Sequence, residues 1–182
     1  MKDTLLEFEG LEENKHLVQA SVLNFIENNF TKEEQKEIKV AEIDTAYIDG
    51  ISLCEHYKVD RKNGCNCLIV ELKRASTKQY AALLVPVGYK YNMSTTVRKY
   101  TNSRMVSVAP LDYVLEHTKM EHGSINPIGI PQTWKIFIDK RLLDVDEIVC
   151  GSGKRISKLR LPSKYLLKLP NVIVLENLGK TD

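Results

Sequence analysis

The chain has 182 residues, 43% of them hydrophobic and 27% charged, enough for one domain with a real core and too few for two of ordinary size. That balance excludes a wholly disordered chain, and apolar runs such as residues 81–87 are far too short to span a bilayer as helices. The net charge of +2 conceals a division, because residues 1–60 carry 6 basic and 14 acidic side chains while the rest carry 20 basic and 10 acidic. Two stretches, 73–104 and 151–169, hold no acidic residue at all. Brought together they would form a positive face suited to a phosphate backbone; held apart they are an ordinary solvated basic surface. Met1-Lys2-Asp3-Thr4-Leu5 lacks a basic region followed by an apolar stretch. The expectation is a cytoplasmic chain with no secretory signal, whose four cysteines are reduced thiols.

In chain order, Leu5, Leu6, Phe8 and Leu11 suggest one short helix, and Val18, Val22, Phe25 and Ile26 mark a clearer one. Residues 38–43 alternate as a strand, and 50–58 read as a helix with Ile51, Cys54 and Tyr57 on a common side. Strands over 67–73 and 80–87, joined by a polar turn, should form an antiparallel hairpin. Ser94 is placed to cap a helix reaching about Tyr100, and a short strand over 104–108 follows. Pro110 at a first helical position, with Asp112 in the first turn, opens a helix ending near Thr118. Residues 123–131 form a loop rich in Gly and Pro, and 134–139, 146–150 and 155–161 read as strands. Pro162 starts a last helix and 171–175 supply a final strand. Strands and helices are interspersed, which favours a single α+β domain with a mixed, curved sheet over a doubly wound parallel one.

From about Asp44 onward the chain resembles the YbaK/ProX family of aminoacyl-tRNA deacylases, which includes editing domains associated with prolyl-tRNA synthetase. Glu55-His56-Tyr57-Lys58-Val59 precedes Gly64-Cys65-Asn66-Cys67-Leu68-Ile69-Val70 as a helix precedes the first core strand there. Met120-Glu121-His122-Gly123-Ser124-Ile125-Asn126-Pro127-Ile128-Gly129 resembles the family's glycine-x-x-x-proline loop. Asp146-Glu147-Ile148-Val149-Cys150-Gly151-Ser152-Gly153-Lys154-Arg155 resembles a strand with a second glycine turn, and Ser157-Lys158-Leu159-Arg160-Leu161-Pro162 closes the pattern. The resemblance implies a partly barrel-like sheet with surrounding helices, an acidic helical extension over 1–36 within the same domain, and the editing domain proper over 37–182. Three positions depart from the family: Asn66 stands where it often has Lys, Ser124 replaces the second of paired glycines, and Lys158 replaces an acidic residue.

The chemistry of ester hydrolysis gives these motifs roles. Negative charge develops on the carbonyl oxygen, and preorganised backbone N–H groups stabilise it. Gly123 permits close backbone approach, Ser124 offers a hydroxyl, Ile125 and Asn126 continue the lining, and Pro127 stiffens the far end, with Gly129 just beyond. The bland alternative is a plain connecting loop. Asn66, at the mouth of the first core strand, can hydrogen-bond a carbonyl or ribose hydroxyl but cannot act as a cation or base; otherwise it simply finishes the turn after Asn63-Gly64.

Gly151-Ser152-Gly153-Lys154 is not a nucleotide phosphate loop. Ile148 occupies the position of the template's first Gly, Arg155 follows the Lys, and the downstream pattern is strand rather than helix. A glycine turn whose amides and Lys154 meet a tRNA phosphate, with Arg155 beside it, remains reasonable. The spacing of Cys54, His56, Cys65 and Cys67 does not match metal knuckles, so no metal or other cofactor is expected. His16, His56, His117 and His122 show no carboxylate partner in sequence, and only His122 adjoins the loop. Trp134 reads as core rather than as a base-stacking platform. The expectation is a trans-editing hydrolase acting on mischarged aminoacyl-tRNA, with tRNA and an aminoacyl-tRNA synthetase as partners and no membrane. The competing readings are a catalytically inactive tRNA- or aminoacyl-binding module of the same fold, and a small-molecule binding protein using the same pocket.

Overall fold

The computed structural model describes residues 5–181. In chain order they form β1 (Glu9–Gly10), a 3-10 turn (Glu12–Leu17), α1 (Ala20–Asn29), α2 (Lys32–Glu37), β2 (Lys39–Glu42) and α3 (Gly50–Tyr57). The hairpin β3 (Cys65–Arg74) and β4 (Thr77–Pro86) comes next, then β5 (Lys90–Tyr91), a π-helical turn (Met93–Val97), α4 (Arg98–Thr101), β6 (Met105–Val108) and α5 (Leu111–Thr118). The chain closes with β7 (Lys135–Asp139), β8 (Glu147–Gly151), β9 (Ser157–Pro162), a 3-10 helix (Ser163–Lys168), β10 (Val172–Leu175) and β11 (Gly179–Lys180).

This is an α+β domain. Its five-stranded sheet, β10-β7-β4-β3-β6, is mixed: β3 pairs antiparallel with β4 and β6, while β7 runs parallel to β4 and β10. A four-stranded antiparallel sheet runs β1-β2-β9-β8, and β11 pairs with β5. No sheet closes into a barrel among the described residues. The two larger sheets are instead joined at one corner, where Gly64 bridges Val149 and the Val149 amide donates to Asn63 O at 2.8 Å. That corner seats the start of β3 beside β8.

Burial on both faces explains the continuous apolar run of β4. Ala82 and Leu84 enter the large core between the sheets, with Ile69, Ile136, Ile138 and Leu159, while Ala81, Leu83 and Val85 enter a second core with Val70, Leu72 and Phe137. Residues 11–30 supply Leu11, Leu17, Val18, Val22, Phe25, Ile26 and Phe30 to the large core, so the acidic N-terminal segment turns one face inward.

Several expectations need correcting. The expected helix at Leu5–Phe8–Leu11 is absent: this segment holds β1, which pairs with β2, and a 3-10 turn follows. Ser94 caps nothing; Asn92 precedes the π-helical turn and its Nδ2 donates to Thr96 Oγ1 at 2.8 Å. Pro110 is the residue before α5 rather than its first, and the segment after Pro162 is 3-10 rather than α. Helix α2 went unrecognised although Thr31 and Glu34 form a full capping box, each side chain receiving the other's backbone N–H. Lys73, Arg74 and Lys78 sit at the β3–β4 hairpin tip, seven residues or about 23 Å along β3 from Asn66. Lys154 and Arg155 sit at the glycine turn after β8.

Asp139 anchors the two-stranded sheet. Its fully buried carboxylate accepts from Gly179 N at 2.7 Å, Arg141 N at 3.0 Å and Arg141 Nη1 at 2.9 Å. Removing it leaves the buried Gly179 amide without its acceptor and the Arg141 guanidinium without its carboxylate. Asp139→Ala is therefore expected to lose about 2–3 kcal/mol of stability, measurable by urea unfolding.

Candidate functional site

Two glycine-bearing segments, 119–131 and 151–156, are pinned together. The Ser124 hydroxyl donates to Lys154 O at 2.7 Å and accepts from Ser152 N at 3.3 Å, and Gly153 N donates to Ser124 O at 3.0 Å. Glu121 N reaches Gly153 O at 2.9 Å, and Glu121's carboxylate accepts from Arg155 N at 2.6 Å. A Cβ on Gly151 would lie 2.5 Å from Ser124 O, so only glycine allows the loop this close to β8. The buried hydroxyls continue inward, with Ser157 Oγ 2.7 Å from Ser152 Oγ and donating to Leu17 O at 2.6 Å.

This clamp forms one wall of a cleft of ≈ 540 Å³ between the two larger sheets. The start of α3 contributes Ile48, Asp49, Gly50 and Ile51; β3 contributes residues 65–69. An apolar wall comes from Val108, Ala109, Leu111 and Val114, the loop brings His122, Gly123 and Ile125, and Tyr91, Gly151 and Lys158 complete the lining. Val108, Leu111 and Ile51 are exposed, giving the mouth an apolar rim.

Of the residues singled out from the sequence, the cleft brings together Asn66, His122, Gly123, Ile125 and Gly151. The others lie behind it. Ser124 and Ser152 are buried in the clamp. Asn126 is fully buried, its Oδ1 accepting from Ile128 N at 2.8 Å and its Nδ2 facing Met120 Sδ. Pro127 is buried, and Gly129 (φ +82°) packs against the Ser21 carbonyl of α1. Gly153 sits against Gln19, Lys154 Nζ donates to His16 O at 2.7 Å, and Arg155 Nη1 donates to His122 O at 2.9 Å.

Polar groups interrupt this largely apolar lining. Gly123 adopts φ +88°, and the Gly123 and Ile125 amides donate to no protein acceptor among the described residues. Asn66's carboxamide makes no side-chain hydrogen bond there either; its Oδ1 rests against Gly50, where a Cβ would come within 2.5 Å of it. Asp49 is committed to capping α3: its carboxylate accepts from Ile51 N and Ser52 N at 3.1 Å and from the Ser52 hydroxyl, which holds it below the usual carboxylate range.

Lys158 went unnoticed as a site residue. It projects from near the start of β9, opposite Gly151, and its Nζ donates to Ile48 O at 2.9 Å. Burial pushes this ammonium below its ordinary value. Two sequence signals bear on it: its place where the family carries an acidic residue, and the alternation of β9, which sends Leu159 and Leu161 into the core and Lys158 to the opposite face.

Cys65 and Cys67 line the cleft, but burial drives both thiols up, and Cys150 behind them to about 12, so none is a thiolate at neutral pH. Among the described residues no group of three or more His, Cys, Asp or Glu side chains is arranged to hold a metal. No described helix is long and apolar enough to cross a membrane.

The family model described as "Aminoacyl-tRNA editing domain" matches residues 51–169. No curated protein matches the chain in sequence. Among solved structures, a scaffold protein used for epitope backbone grafting superposes with a TM-score of 0.73 at 15% identity, covering 91% of this chain and 100% of that one. A candidate trans-editing enzyme for prolyl tRNA synthetase gives 0.71 at 16%, covering 91% and 99%, and the hypothetical protein APE2540 gives 0.72 at 17%, covering 86% and 97%. At these identities the structural likeness establishes the fold alone.

Gly151→Ala is expected to lower stability by about 1–3 kcal/mol, because the new methyl collides with the Ser124 backbone rather than a movable side chain. Thermal denaturation would register the loss, and hydrogen exchange should quicken at the Gly153 amide.

Proposed function

Because the chain belongs to the aminoacyl-tRNA editing domain family, we propose that its cleft hydrolyses amino acids wrongly esterified to tRNA, acting in the cytoplasm as a separate, trans-editing protein. The observation that carries this reading is that Gly123, Ile125 and Asn66 line one cleft, while the two amides and the Asn66 carboxamide make no hydrogen bond among the described residues. Ester hydrolysis needs donors aimed where the carbonyl oxygen becomes negative, and these donors give up no protein hydrogen bond to serve.

Water adds to the ester carbonyl carbon, the bond to the ribose oxygen breaks, and the water's proton ends on the departing hydroxyl of the terminal adenosine. No covalent intermediate is required, which fits thiols that burial keeps protonated. Asn66 orients the carbonyl or the neighbouring ribose hydroxyl. The wall of Ile69, Val108, Ala109 and Val114 takes a small apolar side chain and penalises a charged one. The rim of Ile51, Val108 and Leu111 offers apolar surface to the terminal base, and Lys154 and Arg155 beside the clamp reach toward the acceptor end. An editing site of this kind is needed because a synthetase rejects a smaller analogue by only about 1–3 kcal/mol per missing methylene, and a synthetase is accordingly the partner expected to generate the substrate.

Asn66 in place of a lysine keeps a second reading in view, a module that binds the aminoacyl end without cleaving it. A panel of mischarged tRNAs separates the two. The expected result is turnover of one ester class, lowered at least about 10-fold in kcat/KM by Gly123→Ala, since a side chain is strained at that positive φ and crowds Ile48 at 3.0 Å. Salt-sensitive tRNA binding with no turnover across the panel would favour the binding module.

A further inference from the structure

Elsewhere the chain pairs its buried charges. Asp139 is matched by Arg141, and Glu71, 4% exposed, by Lys73 at 2.8 Å. On the same face of β9, Arg160 pairs with Glu147 and lies over the Phe8 ring. Lys158 is the exception. It is 6% exposed and forms no ion pair among the described residues, and it is the only Lys or Arg lining the cleft. An ammonium has three hydrogens to donate, and the protein accepts one, through Ile48 O. Two donors therefore remain in a largely apolar cleft, where the Asp49 carboxylate attracts the ammonium from a distance but forms no ion pair with it. Burying a cation in this state is costly, and the cost is offset when an oxyanion enters.

We propose that Lys158 is a catalytic residue, whose ammonium donates to the oxyanion formed when water adds to the ester carbonyl. The proposal rests on the deacylase reading and assigns to β9 the positive charge that Asn66 cannot supply from β3. The ammonium lends hydrogen bonds and charge without transferring its proton. It strengthens its hold as negative charge accumulates, so its contribution falls on kcat more than on KM.

The groups facing Lys158 allow the charge to be followed by pH. Asp49 stays ionised, because its capping bonds lower it. Cys54 is raised, Cys150 is pushed up to about 12, and Tyr91 across the cleft is raised well above its usual value, so none of them titrates between pH 7 and 9. His122 also lines the cleft. Lys158 is lowered from 10.5 by burial, so it loses its proton as pH rises through that depressed value. A rate that needs the ammonium falls on the alkaline side.

The test is single-turnover hydrolysis of the ester class the wild-type protein cleaves, corrected for spontaneous hydrolysis at each pH, with Lys158→Met and Lys158→Arg alongside and thermal melts of all three. We expect Lys158→Met to melt no lower than wild type while losing about 10²–10³-fold in kcat with little change in KM. Lys158→Arg should keep part of the rate and lose the alkaline fall, because a guanidinium stays protonated. Lys158→Met within about 3-fold of wild type, or an alkaline fall that persists in Lys158→Arg, overturns the proposal and leaves the deacylase reading standing. If Lys158→Met fails to fold, the comparison of the two pH profiles decides. A wild-type protein that hydrolyses no ester overturns the deacylase reading, and the proposal with it.

Discussion

The site is organised around a close approach of two backbones, where the Ser124 carbonyl lies so near the α-carbon of Gly151 that no side chain fits between them. Once that contact forms, the Ser124 hydroxyl is drawn inward to Lys154 O and Ser152 N, and the chain on either side of it is turned outward. Gly123 and Ile125 reach the cleft with their amides unengaged because Ser124, between them, faces the other way. A serine where the family often has a second glycine is thus a fastening element. It satisfies the turn's buried polar groups and leaves its neighbours to line the cleft.

The second determinant is the corner at which the two sheets meet. The bridge from Gly64 to Val149 sets the opening residues of β3 beside β8, and the pairing of β8 with β9 sets Lys158 opposite Gly151. Asn66 and Lys158, 92 positions apart in sequence, consequently line the same cleft. Burial of β4 on both faces keeps this arrangement stiff, since the hairpin carrying Asn66 is gripped by a core on each side. The cleft is a narrow polar edge with an apolar wall, the usual form of a site that must orient one reactive group while accommodating a greasy one.

Much of the fold was legible in the residues. Strand alternation, the β3–β4 hairpin, α1, α3 and α5 follow from periodicity and turn chemistry, because those signals are local. Misreadings clustered where local and tertiary demands compete. Leu5, Leu6, Phe8 and Leu11 mimic a helical face, yet Glu9 and Gly10 are recruited as an edge strand by β2. The capping box at Thr31 and Glu34 is a local signal, but α2 has no buried residue and so no apolar periodicity to mark it as a helix.

By itself, the sequence determined the α+β class, most of the elements and the place of the Gly- and Pro-rich loop, since glycine and proline constrain the backbone wherever they stand. It also pointed to Asn66, Gly123 and Ile125 as neighbours of one chemistry. Only the tertiary structure decided which side chains on those loops face the cleft and which face the core. It turned Ser124, Asn126, Pro127 and Ser152 inward, and it brought Lys158 into the cleft from a distant strand. The physical reason is that a side chain's direction on an irregular loop depends on which buried polar groups it must satisfy. Those partners, here Lys154 O, Ile128 N and Ile48 O, are known only once the sheets have met.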